Sequence, residues 1–391
     1  MYKIRTLNNI SSKGLDKFPH RSYELSSEIS DPDAILVRSQ QLTVEDATAS
    51  LRAVGRAGAG VNNIPVSDYT DKGVVVFNTP GANANAVKEL VMAGLLLSCR
   101  GIVQGIEYVD TLKDVNDKGE LNKLVEVSKK QYKGSELKGK TLGVLGLGAI
   151  GSMVAEMALQ MEMQVLGYDP ALSVDAAWRL SRKVKKMENM QALFSRSDII
   201  SLHVPAIEAT RGMINNETLP YFKDGAILLN FARGELIDSD ALLAALESGK
   251  LSQYISDFPT PDMIGKPGVF STPHLGASTA EAEENCAMMV ADQIIDFLEN
   301  GNIHNSVNFP NLILERSDSG YRLALSNKNV PRILSSVLSI LADRNINVID
   351  MLNKSREDIA YNLIDIGSEP TDDLVNDILA IEGVINVHVF N

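Results

Sequence analysis

Three glycines and one acid give the first chemical reading. Gly146, Gly148 and Gly151 fit G-x-G-x-x-G in the stretch Lys140 to Ala158, directly after the apolar run Thr141 to Leu145. In that pattern the first glycine permits a tight turn, the second lets a pyrophosphate approach the backbone, and the third lets helix and strand pack closely. Free N–H groups at the helix start would then face the phosphates. A second apolar run, Met163 to Tyr168, ends in Asp169, 18 residues after Gly151, where an acid would bind adenosine ribose hydroxyls. Such an acid repels a 2′-phosphate, and no arginine follows within the next several residues, so the expected cofactor is NAD rather than NADP. Glycines serving packing alone would make Asp169 a coincidence.

Hydride transfer to a nicotinamide needs a proton acceptor and a cation that orients the substrate and steadies charge on oxygen. Arg233 follows the apolar run ending in Phe231-Ala232 and precedes Gly234; His274 lies in Thr272-Pro273-His274-Leu275-Gly276-Ala277-Ser278-Thr279, before a helix. Asp257 and Asp262 stand between them. An imidazole takes up a proton near neutral pH, and a neighbouring carboxylate raises its pKa and fixes its tautomer. Read by itself, Arg233 stays open between a substrate cation and a salt-bridged surface residue. His20, His304 and His388 read as solvated, and His203, between a buried strand and Pro205, as a satisfied strand-end histidine near the cofactor.

These residues need a sheet to hold them. Ala34 to Val37, Leu51 to Gly55 and Val74 to Phe77 read as short buried strands ending in Arg38-Ser39, Arg56-Ala57-Gly58 and Asn78-Thr79-Pro80-Gly81. Ligands in open α/β sheets sit beyond the carboxyl ends of strands, so these ends form one candidate pocket. Ala86 to Arg100 reads as a long helix leading to the next domain, and Gly101 to Glu136 as charged and weakly patterned. From Lys140, strands at 141–145, 163–168, 199–204, 226–231 and 252–257 alternate with helices from about 150 and at 188–194, 216–221 and 239–248, the signature of a parallel sheet covered on both faces. A helix from Ser278 to Asn300 returns the chain. Asn302 to Gly320 reads as a polar linker. Beyond it, Tyr321 to Val389 follows βαββαβ order, and a unit that small gains from pairing a half-exposed sheet face or edge with a second copy.

At 391 residues the chain exceeds one ordinary core. Its formal charge of −13 argues against non-specific nucleic-acid binding. Two cysteines, Cys99 and Cys286, read as packed thiols in a reducing compartment. No apolar run approaches a membrane span and the start has no signal core, so the expected location is cytoplasmic, with no membrane partner.

Gly55-Arg56-Ala57-Gly58-Ala59-Gly60-Val61-Asn62-Asn63-Ile64, the glycine loop, Leu202-His203-Val204-Pro205, Asn230 to Asp238 and Pro273 to Thr279 together resemble the D-isomer 2-hydroxyacid dehydrogenases. Within that family, the PHLGAST form, Arg38-Ser39 with Arg56, and a terminal unit resembling an ACT domain match the branch acting on D-3-phosphoglycerate. The resemblance implies an α/β fold: a Rossmann-type NAD domain over 93–277, a flavodoxin-like substrate domain over 1–92 and 278–305, a linker over 306–319 and an ACT-like regulatory or oligomerisation domain over 320–391. It implies Arg233 as substrate-binding arginine, His274 as general acid/base, and Asp262, 29 positions after Arg233, in place of the family's catalytic glutamate. Asp257 is the fallback partner of His274 and the acid facing the nicotinamide amide. Gly146, Gly148, Ala149, Ile150, Gly151, Asp169, His203, Val204, Pro205, Ala232, Asp257 and Gly276 would hold NAD. Arg38, Ser39, Arg56 and Gly58, with Arg233, would hold a small anionic substrate, two cations suiting a phosphate plus a carboxylate.

The resemblance further implies a homodimer or homotetramer and an effector at the terminal unit; no metal is expected. Asn62 stands where the family carries an acid, and Asn327-Lys328-Asn329-Val330-Pro331-Arg332 lacks the His and Gly of the family's serine-binding loop. A reductase of hydroxypyruvate or glyoxylate is the rival within enzymes, and an NAD-sensing binding protein the rival outside them.

Overall fold

The computed structural model describes residues 1–172, 174–316 and 320–390; Ser317 to Ser319 of the expected linker lie outside them. The chain divides into two compact units, Met1–Asn83 with Ala280–Asn391, and Ala84–Thr279.

In the first unit β1 (Tyr2–Leu7), β2 (Tyr23–Ser26), β3 (Ala34–Val37), β4 (Ala53–Arg56) and β5 (Val75–Phe77) form a parallel sheet in the order β2-β1-β3-β4-β5, the flavodoxin-like arrangement. All four residues of β3 are buried, as its unbroken apolar run requires of a strand covered on both faces. Leu36 and Phe77 meet Val290, Ile294 and Phe297 of the Ala280–Asn300 helix on one side; Ile35, Val37, Val54 and Val76 meet Leu42 and Tyr69 on the other. Gly55 admits that helix, since a Cβ there would lie 2.4 Å from Val290 Cγ2. β1 and β2 went unread in the sequence because charged residues interrupt runs of only six and four.

The stretch read as a polar linker instead closes the β5 edge. Val307 N donates to Val76 O at 2.9 Å, Val76 N to Asn308 Oδ1 at 2.9 Å, and Asn308 Nδ2 to Val74 O at 2.9 Å. Its asparagines are spent satisfying a sheet edge that would otherwise lie open.

The second unit carries β6 (Thr141–Leu145), β7 (Gln164–Tyr168), β8 (Lys185–Lys186), β9 (Ile199–Leu202), β10 (Ala226–Asn230), β11 (Leu251–Ser256) and β12 (Val269–Ser271) in the order β12-β11-β10-β9-β6-β7-β8, all parallel. This is the Rossmann-like order, with the direction of strand addition reversing beside β6. Helix Ala149–Gln160 packs on helix Ala84–Cys99 through Val154, Met157, Val91 and Leu95. Residues 102–111 and 118–128, weakly patterned in sequence, are helical, and no residue of the first of these is buried. The helix expected near 216–221 is a short 3-10 turn, Leu219–Tyr221.

Returning to the first unit, β13 (Tyr321–Lys328), β14 (Val348–Arg356), β15 (Ile359–Ile366) and β16 (Val384–Phe390) form an antiparallel sheet in the order β14-β15-β13-β16, consistent with an ACT-like fold. The expectation of a half-exposed face needs correction. Leu323, Leu325, Ile364 and Ile366 pack under Ile333, Val337, Leu341 and Leu374, while Ala324, Tyr361, Leu363 and Phe390 join Phe297, Ile303, Phe309 and Leu312 in one cluster. Both faces are thus covered at their centres within one chain. Arg322, fully buried, bonds Asp365 Oδ1 at 2.6 Å and Oδ2 at 2.8 Å and donates to Leu314 O and Asn300 O.

His388, read as solvated, lies in β16, where burial pulls its pKa down to about 4. His304 pairs with Asp296 at 3.3 Å. Both cysteines are buried free thiols. Among the described residues no helix is long and apolar enough to cross a membrane, and no group of acidic, His or Cys residues could hold a metal ion.

Candidate active site

In the second unit the three glycines differ in what surrounds them. Gly146 has φ +90°, and a Cβ would sit 2.6 Å from His203 O; at Gly151 it would sit 1.9 Å from Gly146 O. At Gly148 it would meet nothing within 4 Å. Turn, open approach and tight packing are therefore divided among the three as a pyrophosphate cradle requires. Gly148 caps the Ala149–Gln160 helix, whose first turn, including Ile150, supplies the free N–H groups. Asp169 follows β7; its Oδ2 accepts from Leu147 N at 2.8 Å and its Oδ1 from Ala171 N at 2.9 Å, so the acid also shapes the glycine loop.

Beside that loop stands His203, directly after β9, the strand paired with β6, and ahead of Val204 and Pro205. Its Nε2 lies 2.8 Å from Ser201 Oγ, and its buried Nδ1 has no hydrogen-bond partner among the described residues. Burial lowers its pKa to about 4, so the ring is neutral at pH 7. Ser201 was legible only as one more residue of an apolar run, although its spacing of two puts it on the same face as His203.

Arg233 is positioned by Asn230, which in the sequence is only the first residue of the motif Asn230 to Asp238. Asn230, fully buried at the end of β10, donates Nδ2 to Arg233 O at 2.8 Å and accepts from Ala232 N and Arg233 N through Oδ1 at 3.2 and 3.3 Å. This side-chain-made turn lifts Arg233 off the strand end; its Nη1 donates to Ala232 O at 2.6 Å. Gly234 leaves room for Phe258, whose Cβ would lie 3.3 Å from an added Cβ.

His274 is exposed, has φ +57°, and its ring lies 5.0 Å from that of Phe258. Its N–H donates to Asp257 O at 3.1 Å and Thr272 O at 3.0 Å. Asp257, 1% exposed, accepts from Thr272 Oγ1 and Leu275 N at Oδ1 and from Gly276 N at Oδ2, each at 2.7 Å. Both oxygens of Asp257 are thus committed to the loop that presents His274. A Cβ at Gly276 would stand 3.1 Å from Asp257 Oδ2 and press on that carboxylate. Asp262 is exposed in the turn after β11, and among the described residues no ion pair joins it or any other carboxylate to His274. The backbone thus brings Arg233, Asp257 and His274 to neighbouring strand ends and leaves Asp262 outside their hydrogen-bond network.

In the first unit the ends of β3 and β4 lie side by side, Val37 opposite Arg56. Arg56 Nε donates to Arg38 O at 3.1 Å, and Gly58 leaves room for its guanidinium, an added Cβ falling 2.4 Å from Nη1. Asn8, at φ +67°, holds the turn by accepting from Ser39 N at 3.1 Å and Gln40 N at 2.7 Å. Arg38 pairs with Glu283 at 2.7 Å. Neither Asn8 nor Glu283 carried a signal in the sequence, because both act across long separations.

Residues 98–276 match the family described as D-isomer specific 2-hydroxyacid dehydrogenase, NAD binding domain. The chain is 33% identical to the D-3-phosphoglycerate dehydrogenase of Haemophilus influenzae over 380 residues, 94% of this chain and 88% of that protein. It belongs to the D-isomer specific 2-hydroxyacid dehydrogenase family. A hydroxypyruvate reductase of Thermotoga maritima is 39% identical over 69% of this chain and 86% of its own length. A solved NAD+-bound 3-phosphoglycerate dehydrogenase of Entamoeba histolytica superposes with a TM-score of 0.61 at 28% identity, covering 78% of this chain and 98% of that one. Against other curated relatives that it matches, the chain spans about half their length, 55% and 54% in two cases. With this family's NAD domain matched and a cradle open at Gly148, NAD is the cofactor that the glycine loop is built for.

Proposed function

We propose that this 2-hydroxyacid dehydrogenase oxidises D-3-phosphoglycerate to 3-phosphohydroxypyruvate, the first step of L-serine synthesis. The observation that carries the reading is the pair Arg38 and Arg56, joined by a 3.1 Å hydrogen bond at adjacent strand ends, which gives two cations for a substrate with two anionic groups. The glycine loop from Gly146 to Gly151 and Asp169 would hold NAD, which would supply the acceptor for the C2 hydride. His274 accepts the C2 hydroxyl proton on a ring nitrogen, and Arg233 binds the carboxylate and the C2 oxygen. The family resemblance assigns Asp262 to steady the imidazolium, with Asp257, whose oxygens accept hydrogen bonds from the loop, as the fallback partner. Residues 93–277 serve the cofactor, 1–92 with 278–305 the substrate, and 320–391 regulation or assembly.

A reduction of hydroxypyruvate is the second reading, favoured by the 39% identity to the Thermotoga maritima enzyme. NADH formation measured with D-3-phosphoglycerate against a panel of uncharged-tail 2-hydroxy acids decides between them. The proposal expects phosphoglycerate to lead, and Arg38→Ala with Arg56→Ala to raise its KM at least tenfold. A KM that both replacements leave alone favours the reductase. His274→Asn is expected to cut turnover by orders of magnitude with NAD affinity nearly unchanged; undiminished turnover removes His274 from the mechanism, and an inactive parent that still binds NAD favours a sensor.

The assembly proposed is a homo-oligomer through helix Ile102–Thr111, on which Ile102, Ile106 and Val109 recur at helical spacing and are 42%, 59% and 54% exposed. Ile106→Asp is expected to shift the mass in light scattering towards the monomer. Added L-serine is expected to leave the rate unchanged, because Arg332 occupies a place in the loop where close backbone approach needs glycine.

A further inference from the structure

Arg38 is already engaged by an acid of its own chain. Its Nη2 lies 2.7 Å from Glu283 Oε1, with the two side chains 37% and 42% exposed. Glu283 stands in the first turn of the Ala280–Asn300 helix, where the dipole favours a negative charge whether or not the arginine is there. Arg56 is tied to Arg38 through the backbone of that residue. The buried thiol of Cys286, one turn along, senses the same group: burial raises its pKa, a Thr79 hydrogen bond and the charges of Arg38 and Arg56 oppose the rise, and Glu283 adds to it. Arg38 and Glu283 therefore form an ion pair whose formal charges cancel at the end of β3.

We infer that Glu283 is a built-in competitor for Arg38, a specificity-determining acid that an anionic substrate must displace. The inference rests on the reading of Arg38 and Arg56 as the anion site. A carboxylate against a guanidinium is the same contact that a substrate carboxylate or phosphoryl oxygen would make, so the two cannot be satisfied by one Nη2 at once. The pair is well exposed, and pairs of this kind shift equilibria by no more than about fivefold. Glu283 therefore weakens binding without blocking it. Its cost grows with the charge of the incoming group, which makes the site poorer for highly charged anions than it would be with Arg38 unpaired from Glu283.

The test compares the parent, Glu283→Gln, Arg38→Ala, Arg56→Ala and the Glu283→Gln/Arg38→Ala double variant in steady-state kinetics with D-3-phosphoglycerate, with inorganic phosphate as the competing probe. Glu283→Gln is expected to lower both the KM for phosphoglycerate and the inhibition constant of phosphate about two- to fivefold, with kcat and the KM for NAD unchanged. The gain should shrink as salt is added and vanish in the Arg38→Ala background. A merely structural glutamate would show neither the salt dependence nor the coupling to Arg38. If Arg38→Ala weakens both ligands while Glu283→Gln changes neither, the competitor role is overturned and the anion site stands. If Arg38→Ala and Arg56→Ala leave both constants alone, the anion site itself is overturned, and the competitor with it.

Discussion

The carboxylate of Asp257 receives the amide N–H of Gly276 on one oxygen and that of Leu275 on the other, at 2.7 Å each, and so fixes the loop that carries His274 in a left-handed backbone conformation. Hydrogen bonds to a buried ionised group are worth about 1.5–3 kcal/mol each. Asp257→Asn turns one oxygen into an NH2 group that must face a donor. The expected outcome is a fall in kcat of at least about tenfold together with a lower melting temperature, because the loop loses its shape before the imidazole loses its chemistry. Steady-state kinetics and a thermal melt on the same preparation check it; an unchanged kcat would mean that the loop holds His274 without this acid.

Gly148 and Gly151 separate cofactor binding from folding. An added Cβ at Gly148 meets no protein atom within 4 Å, whereas at Gly151 it would stand 1.9 Å from Gly146 O. Gly148→Ala should therefore melt like the parent without NAD but lose most of the stabilisation that saturating NAD confers, about 2.7 kcal/mol at a hundredfold excess over Kd. Gly151→Ala should melt lower even in the absence of NAD. Equal cofactor-induced shifts in parent and Gly148→Ala would remove the pyrophosphate from that glycine.

What the sequence carried was local. The glycine spacing, the apolar runs from Thr141 to Leu145 and Ala34 to Val37, and the positions of Arg233 and His274 are all set within a few residues, and the corresponding strands and turns form where those runs placed them. What it could not carry was pairing at a distance. Asn308 reads as loop chemistry, yet it serves the β5 edge 232 positions away. Asn8 and Glu283 likewise gain their roles only when strand ends and a helix start meet. The covered face of the antiparallel sheet was illegible for the same reason, since Tyr361 and Phe390 alternate as they would on a face awaiting a second copy.

Arg332 occupies the left-handed region at φ +78°, directly before the helix Ile333–Asp343. An L-residue there pays about 1–2 kcal/mol that glycine does not, offset in part by the larger freedom of glycine in the unfolded chain. Arg332→Gly is accordingly expected to stabilise the protein by up to about 1 kcal/mol, read as a higher urea midpoint at unchanged slope. A lower midpoint would mean that the arginine side chain contributes contacts exceeding the strain.

Two histidines should make stability fall on mild acidification. Burial holds both His203 and His388 at a pKa of about 4, below the 6.5 expected of the unfolded chain. Between those values the unfolded state binds protons that the folded state refuses, so the stability present above pH 6.5 is lost progressively as pH falls towards 4, and no further loss from these two groups follows below it. The limiting slope is about 1.4 kcal/mol per pH unit for each histidine. Urea unfolding at pH 7.5, 6 and 5 measures the slope, and His388→Gln, which keeps a polar side chain of similar reach but cannot titrate, should reduce it. A pH dependence identical in parent and variant would mean that His388 takes up its proton in the folded protein as readily as in the unfolded chain.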